Sequence, residues 1–326
     1  NLIVTMPPNI ATASSPSLED RMACFHVSPT HAFLVEHPAV RLPEQYNAWH
    51  DMCDDLQSLI ESDPTSMRPL LDGMEEIELP DDLSYEQQRL VHGLMCTMVA
   101  AYLWADRSGK PPSSIPRSLS LPYYKVSQLL GMYPVVSHHS TCLANWRRIS
   151  ADADTSTVKA DDLDLIYFKL IRDDTNVWFF TLTAELEFLM APAIRACASI
   201  CHSADTSPVL VTEVDIDVAL EDIIESLGKC TALFERFKER MTPAAFYHEL
   251  RPYLWGYANV EGGVTFEGLE HLGPLKYAGA SAAQSCILQT LDAFLGVKHS
   301  GHNDEFMRDQ RGYMPRGNRE FIEWIE

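Results

Sequence analysis

The chain has 326 residues, of which 46% are hydrophobic, with 15 glycines and 20 prolines. This length and composition can bury a large core, so we expect most of the chain to fold as one large domain or two smaller ones. Its 25 basic and 46 acidic residues give a net charge of −21, which would repel nucleic-acid phosphates and excludes nucleic acid as a partner.

The cysteine usage and the apolar runs indicate a cytoplasmic protein. The eight cysteines show no CxxC spacing and fall mostly in apolar helical patterns, as buried reduced thiols do. The most apolar runs, 90–105 and 177–201, are interrupted by His92 and by Glu185 and Glu187, so we expect neither to span a membrane. The first residues lack the features of a secretory signal. We therefore expect a cytoplasmic monomer without membrane attachment.

The first third of the chain is predicted to hold an arm and two helices. Residues 1–20 are rich in Ser, Pro, Thr and Ala, which is typical of a flexible arm. Apolar residues recur every three or four positions over 43–62 and 84–106, which predicts two core helices. Ser84, with a Glu and a Gln in the following turn, predicts the cap of the second helix.

The middle and the end of the chain predict an all-α protein. Residues 109–122 contain four prolines and four serines, so we expect a linker between a small N-terminal domain, 21–108, and a large helical domain, 123–326. A hairpin is expected at 261–263, but no strand alternation of note occurs. The 3.6-residue period predicts the following helices: 122–130, 137–148, 176–201, 215–241, 242–257, 281–296 and a terminal helix from Pro315. The helices 176–201, 215–241 and 281–296 are expected to surround one pocket.

The helix at 242–257 combines an arginine with aromatic residues. Thr242 is a suitable N-cap and Pro252 should break the helix, while Tyr247 and Arg251 are four residues apart and share a stripe. A guanidinium binds a carboxylate through two parallel hydrogen bonds, and aromatic rings accept an apolar group. The pattern favours a ligand with an apolar ring and a carboxylate, although a surface arginine covering its own helix would give the same pattern.

Three other positions leave alternatives open. Thr183 lies one turn after Phe179, and its hydroxyl either bonds back to a helix carbonyl or faces a pocket. His138 and His139 are adjacent and point in different directions on a helix, which argues against a shared metal. Ordinary polar positions are the favoured interpretation, and a His138 that faces a pocket is the less favoured one. The sequence GAS before the helix at Ser281 could offer backbone N–H groups to an anion.

Seven stretches, in order, resemble the indoleamine 2,3-dioxygenase family of heme enzymes. They are LPYYKVSQLL at 121–130, CLANW at 142–146, WFFTLTAELE at 178–187, FYHELRPYL at 246–254, YAGASAAQS at 277–285, LGVKH at 295–299 and MRDQRGYMPRGNREFI at 307–322. The resemblance implies an all-α fold with a small N-terminal domain and a large helical domain that holds heme b. It implies insertion of both atoms of O2 across the indole C2–C3 bond of L-tryptophan or a related indoleamine, to give N-formylkynurenine.

The resemblance also implies roles for nine residues of one pocket. Arg251 would bind the substrate carboxylate, Phe179 would pack on the indole, and Thr183 falls where the family has a distal serine, the catalytic position. Two residues, Ser281 and Ala282, correspond to the backbone segment beside the heme and the substrate ammonium. The remaining substrate-binding positions are Phe246, Tyr247, Thr141 and His138.

The chain departs from the family pattern in two places. The family's iron-binding histidine lies in a helix after the YMP segment, whereas this chain ends at Glu326, and His299 and His302 match the loop before that segment. We therefore expect no dioxygenase activity from residues 1–326 alone. The alternatives are a dioxygenase without its C-terminal segment and a heme-free relative that uses the indole pocket for a non-redox reaction or for binding an indole amine or amino acid. Trp255, where the family has a small residue, could fill part of the pocket.

Overall fold

The computed structural model describes residues 16–150, 154, 156–206 and 211–326. Most of the arm predicted over 1–20 lies outside these residues, and its last part instead begins a helix capped by Ser17. The α-helices of the described part are α1 (Leu18–Cys24), α2 (Asn47–Ser62), α3 (Met67–Asp72), α4 (Tyr85–Trp104), α5 (Arg117–Leu130), α6 (Thr175–Leu189), α7 (Ala191–Thr206), α8 (Glu213–Phe234), α9 (Phe237–Arg240), α10 (Cys286–Phe294), α11 (His302–Gln310) and α12 (Arg316–Ile325).

The strands in the described residues are only two residues long. Strand β1 (Ser114–Ile115) pairs in parallel with β4 (Thr265–Phe266), and β2 (Arg147–Arg148) pairs antiparallel with β3 (Leu163–Asp164). Ladders of this length form no layer of the fold. The all-α class predicted from the sequence is therefore confirmed.

The first two core helices follow the sequence patterns that predicted them. In α4 the Ser84 hydroxyl accepts the N–H of Gln87 at 3.3 Å, and the Gln87 side chain accepts the N–H of Ser84 at 3.0 Å. This reciprocal pair satisfies two backbone donors at the start of the helix. Every residue of α4 from Arg89 to Trp104 is buried, so this helix is central to the fold.

Several predicted boundaries were wrong. Helix α5 begins at Arg117 rather than 122 and contains Pro122; the proline costs one hydrogen bond, and burial of Leu119 and Tyr123 offsets that cost. The region predicted as 281–296 is split: Ser281 caps a short 3-10 turn, Ala282–Gln284, before α10 begins. The hairpin expected at 261–263 is also wrong.

The chain at 261–263 turns without pairing its two flanks. Gly262 and Gly263 have φ of 87° and 90°, which glycine adopts without steric cost. The antiparallel contact nearby joins Val264 to Leu275 instead, and β4 pairs with the distant β1.

The helix predicted over 137–148 is instead a π-helical turn, His139–Leu143, followed by β2. The side chain of Asn145 ends the turn, because its Nδ2 donates to the Thr141 carbonyl at 3.1 Å and its Oδ1 accepts the N–H of Tyr167 at 2.9 Å. A buried amide that replaces backbone partners in this way competes with continuation of a helix.

The helix predicted over 176–201 is two helices, α6 and α7, which meet at Met190. Pro192 has no N–H to donate, so the helical hydrogen bonds cannot continue unbroken through this point. The helix predicted over 215–241 is likewise divided into α8 and α9. Residues 175–206 are long and apolar enough to cross a membrane by length and composition, and 56% of the apolar window is buried inside the protein. The buried core helix of a folded protein meets the same criteria of length and composition.

The main hydrophobic core is one cluster that runs from Met22 in α1 to Ile325 in α12. The division into domains at 109–122 stays a prediction. All eight cysteines are free. Six are buried, whereas Cys24 is exposed and Cys201 is half-buried, which agrees with mostly buried reduced thiols.

Candidate functional site

An apolar cavity of about 320 Å³ lies between α6, α8, α10 and the π-helical turn at 139–143. This volume is at the lower end of small-molecule sites, which are roughly 300–1,000 Å³ and mostly apolar with a few polar groups. The wall residues are His138, Thr141, Cys142, Phe179, Thr183, Leu186, Glu187, Met190, Leu227, Cys230, Phe234, Phe237, Leu254, Ala280, Ser281, Ala282, Ser285, Ile287, Leu288 and Leu291. The cavity is thus suited to one small ligand with an apolar body.

Six of the nine residues singled out in the sequence lie on this wall. They come from three separate parts of the chain and are Thr183, Phe179, Thr141, His138, Ser281 and Ala282. Their individual binding and catalytic roles stay predictions.

The other three predicted residues lie outside the wall. Phe246 is half-buried behind Phe179, with the ring centroids 4.9 Å apart. Tyr247 is 57% exposed, and Arg251 is exposed with its guanidinium 5.0 Å from the Tyr247 ring centroid. Trp255 packs edge-on against Trp104 at 5.4 Å and is not a wall residue, so in this structure it does not fill the cavity.

The local backbone explains where Arg251 points. Thr242 caps the segment as predicted, accepting the N–H of Ala245 at 3.1 Å. The helix is then π-helical over Ala245–Leu250 and 3-10 over Arg251–Leu254, which changes the rotation per residue from that of an α-helix. Leu254 therefore reaches the cavity while Arg251 remains in solvent.

Two π-helical turns lie beside the cavity. The turn His139–Leu143 contributes Thr141 and Cys142 to the wall, and the turn Ala245–Leu250 supplies Phe246 behind it. Single π-helical turns are rare and occur frequently at functional sites. Their position favours this cavity over the other surface depressions as the functional site.

Thr183 satisfies both interpretations left open by the sequence. Its hydroxyl donates to the Phe179 carbonyl at 2.7 Å, as a core threonine in a helix does. Its side chain is also half-buried on the cavity wall. Because the hydroxyl oxygen keeps lone pairs after donating its hydrogen, it can accept a hydrogen bond from a ligand.

The wall contains a buried ion pair that was not predicted from the sequence. His138 Nε2 lies 2.9 Å from Glu187 Oε1, and the Ser285 hydroxyl donates to the same oxygen at 3.0 Å. Glu187 is 1% exposed, and its Oε2 has no hydrogen-bond partner in the described part of the chain. A glutamate inside an apolar helical run was the available signal, since glutamate is almost never fully buried unless it is paired.

The ion pair changes the protonation of His138. Burial alone lowers the pKa of this imidazole, but the neighbouring Cys142 thiol and the Glu187 carboxylate outweigh burial and raise the pKa to about 10. His138 is therefore a cation at neutral pH. The favoured view of His138 as an ordinary polar position is wrong, because the residue is buried and lies on the cavity wall, as the less favoured interpretation had it.

The described residues fit a heme only in part. The mostly apolar wall suits the apolar surface of a heme, but no group of three His, Cys, Asp or Glu residues in the described ranges could hold a metal ion. His138 Nε2 is engaged by Glu187, His299 bonds Asp292 at 2.8 Å, and His302 is exposed. Among the described residues, the wall would therefore contact an apolar cofactor, but its one histidine, His138, is already paired and would not bind the iron.

The fold and the site define an all-α protein with an apolar small-molecule cavity. This chain belongs to the indoleamine 2,3-dioxygenase family, whose sequence profile matches residues 21–326. Indoleamine 2,3-dioxygenase 1 of Mus musculus is 29% identical over 92% of the chain and 73% of the relative. Indoleamine 2,3-dioxygenase 2 of Homo sapiens is 28% identical over 98% of the chain and 75% of the relative. A protein named myoglobin from Haliotis madaka is 26% identical over 93% of the chain and 76% of the relative.

The names of these relatives set a limit on what membership implies. Membership supports a dioxygenase-type oxidoreductase that acts on a small molecule with O2. Because a myoglobin aligns over as much of the chain as the dioxygenases do, the particular reaction has to be argued from the site.

Proposed function

We propose that this protein is a heme-dependent dioxygenase that oxidises L-tryptophan or a related indoleamine. The observation that carries the proposal is the composition of one cavity wall. Phe179 and Thr183 on α6 and the distant 280–282 segment line the same cavity, and the family resemblance expects the substrate and the cofactor beside these residues.

The residues of this chain would bind and orient the substrate. The ring of Phe179 stacks on the indole and is held from behind by Phe246, since aromatic pairs favour offset or edge contacts. The hydroxyl of Thr183, which donates its hydrogen to the Phe179 carbonyl, accepts a hydrogen bond from the substrate. Heme b would supply the activation of O2, while the apolar walls exclude water.

Arg251 is the proposed partner of the substrate carboxylate. No hydrogen bond or ion pair joins its guanidinium to another residue in the described ranges, so its donors are available. It stands three residues before Leu254, which lies on the wall. A ligand carboxylate that reaches the segment could therefore be bound by the planar guanidinium through two hydrogen bonds.

Heme binding and product formation test this proposal. Titration of the purified protein with heme should produce a saturable Soret band that shifts on addition of tryptophan. Because no cavity imidazole is free among the described residues, we expect residues 1–326 alone to form no N-formylkynurenine. Formation of that product by this chain would support the dioxygenase function, but it would contradict the narrower expectation and assign the iron to one of the described residues.

A second candidate function is a heme-free use of the same cavity. It is favoured by the volume of about 320 Å³, which suits one indole ligand, and by the engagement of His138 with Glu187. Calorimetric titration of the heme-free protein with tryptophan and tryptamine distinguishes the heme-free function from the heme-dependent one. Binding with a spectrum that stays flat when heme is added would favour the heme-free function.

A further inference from the structure

We infer that Arg107 is a positioning residue for the substrate carboxylate and that it favours indole amino acids over indole amines as ligands. Arg107 is not a wall residue of the cavity. It binds the backbone just before Arg251, in the segment 248–255. The inference rests on the proposed binding of a carboxylate by Arg251 and adds the residue that fixes the backbone from which Arg251 projects.

Pro252 leaves one backbone carbonyl of this segment without a helical partner. In an α-helix the N–H of residue 252 would donate to the carbonyl of residue 248, but a proline has no N–H. Arg107 Nη1 donates to the His248 carbonyl at 2.6 Å, and Arg107 Nη2 donates to the Glu249 carbonyl at 3.0 Å. Arg107 therefore replaces the missing donor from a distant part of the chain.

The guanidinium of Arg107 is itself held in place. Its Nε donates to the Trp104 carbonyl at 3.3 Å, at the end of α4. Its Cζ lies 5.3 Å from the centroid of the Tyr253 ring, a distance at which a cation is attracted to an aromatic face. Helix α4 is buried from Arg89 to Trp104, so Arg107 ties the segment to a central helix of the fold.

Trp104 holds the other end of the same segment. Its Nε1 donates to the Trp255 carbonyl at 3.1 Å, and the two indole rings meet edge-on with their centroids 5.4 Å apart. Arg251 thus lies between two points of attachment to the end of α4. A guanidinium binds a carboxylate through two parallel hydrogen bonds in one plane, and a backbone that is already fixed reduces the cost of ordering this contact.

A ligand benefits from this arrangement only if it carries a carboxylate. Tryptophan and tryptamine share the indole ring and the amine and differ in the carboxylate. The proposed ring contact comes from Phe179 on α6, which Arg107 does not hold. Loss of Arg107 should therefore weaken the binding of tryptophan and leave the binding of tryptamine unchanged.

Arg172 is a matched control on the same surface. It lines the same surface depression as Arg107, together with Glu249 and Tyr253. Its guanidinium pairs with Glu61 at 2.7 Å, and no hydrogen bond joins it to the segment 248–255 in the described ranges. Arg172→Ala therefore removes a positive charge from this surface without removing a donor to the segment.

Hydrogen–deuterium exchange tests the attachment without a ligand. In Arg107→Ala the amides of residues 246–257 should exchange faster than in the parent protein, because an opened segment loses protection, whereas Arg172→Ala should match the parent. The amides of α6 report on folding. If they also lost protection, Arg107→Lys, which keeps the apolar stem, would replace the alanine variant. Unchanged exchange over 246–257 in a folded Arg107 variant would overturn the inference.

Calorimetric titration of the same variants with tryptophan and tryptamine tests the ligand preference. We expect the Kd for tryptophan to rise about fivefold in Arg107→Ala, which corresponds to one hydrogen bond, while the Kd for tryptamine stays the same. Arg172→Ala should change neither value. Because Arg107 acts through Arg251, Arg107→Ala should have no further effect in an Arg251→Ala background.

The inference and the proposed carboxylate site fail in different ways. If Arg251→Ala weakens tryptophan binding but Arg107→Ala does not, or if Arg107→Ala weakens tryptamine binding equally, Arg107 is not a positioning residue and the carboxylate site stands. If Arg251→Ala leaves tryptophan binding unchanged, the carboxylate site fails and the inference fails with it.

Discussion

The pair of Glu187 and His138 is the most costly polar feature of the cavity. Both groups are buried, and taking two charges out of water is expensive unless they are paired and hydrogen-bonded. The 2.9 Å contact and the Ser285 hydroxyl supply that compensation. Removing either partner would leave a buried charge, which typically costs roughly 3–5 kcal/mol.

The same pair predicts how stability depends on pH. The pKa of His138 is 6.5 in an unfolded chain and about 10 in the folded protein, so the folded state holds a proton that the unfolded state releases between these values. The stabilisation is complete below pH 6.5 and is lost as the pH rises through 10. The free energy of unfolding should fall by up to about 1.4 kcal/mol per pH unit over this window.

Urea denaturation at pH 6, 8 and 10 measures this dependence. In His138→Gln the free energy of unfolding should no longer show the fall with pH that deprotonation of His138 causes. A decline of the same size in the parent protein and in His138→Gln would show that other groups cause it.

Thr183 should contribute to turnover more than to stability. Thr183→Ala removes a hydroxyl from the cavity wall, so in a full-length, heme-loaded protein we expect kcat to fall about tenfold, the value of one hydrogen bond, with KM little changed. Thr183→Ser, which keeps the hydroxyl, should retain activity. Thr181→Ala is the control, because Thr181 also bonds back to a carbonyl, that of Val177 at 2.9 Å, but is not a wall residue of this cavity.

Arg251 should matter for affinity if it binds the substrate carboxylate. Arg251→Lys keeps the charge but loses the planar pair of donors, and we expect the Kd for tryptophan to rise about tenfold, with a larger rise in Arg251→Ala. Arg308→Lys, a change at an exposed arginine on α11, should leave the Kd unchanged. Unaltered tryptophan affinity in a folded Arg251→Ala variant would remove Arg251 from the site.

At the scale of elements, two glycines allow the cavity wall to form. A side chain at Gly279 would place Cβ 1.9 Å from the Leu254 carbonyl oxygen, and one at Gly256 would lie 2.3 Å from the Ala278 backbone. The Ala280 N–H donates to the Leu254 carbonyl at 3.0 Å across this contact. The close approach holds the 280–282 segment against the segment that carries Arg251.

Gly279→Ala should therefore displace the wall. The obstacle is backbone rather than a flexible side chain, so we expect a loss of about 1–3 kcal/mol in the free energy of unfolding together with weaker ligand binding. Gly109→Ala is the control, because a Cβ there meets no atom within 4 Å. If thermal unfolding and tryptophan affinity were the same in both variants, the close approach would not matter to the site.

At the scale of the whole molecule, the continuous core predicts cooperative unfolding. The main cluster includes buried residues from both sides of the segment 109–122, and a shared core couples the parts that form it. We expect one transition in differential scanning calorimetry. Two separable transitions would instead indicate that the predicted small and large domains fold independently.

The sequence alone determined the elements that depend on local interactions. The reciprocal cap at Ser84 and Gln87, the cap at Thr242, and the core helices α2 and α4 follow from contacts between residues three or four apart. The one-turn spacing of Phe179 and Thr183 placed both on the same wall for the same reason.

Only the tertiary structure decided the features that depend on distant partners. His138 and Glu187 are 49 residues apart, so no local pattern predicts their pairing or the charge on His138. Asn145 ends a predicted helix because its amide bonds a backbone N–H at Tyr167, 22 residues away. Arg251 lies outside the cavity because the π-helical turn that precedes it changes the direction of its side chain. The buried contacts that favour such a turn exist only after the chain has folded.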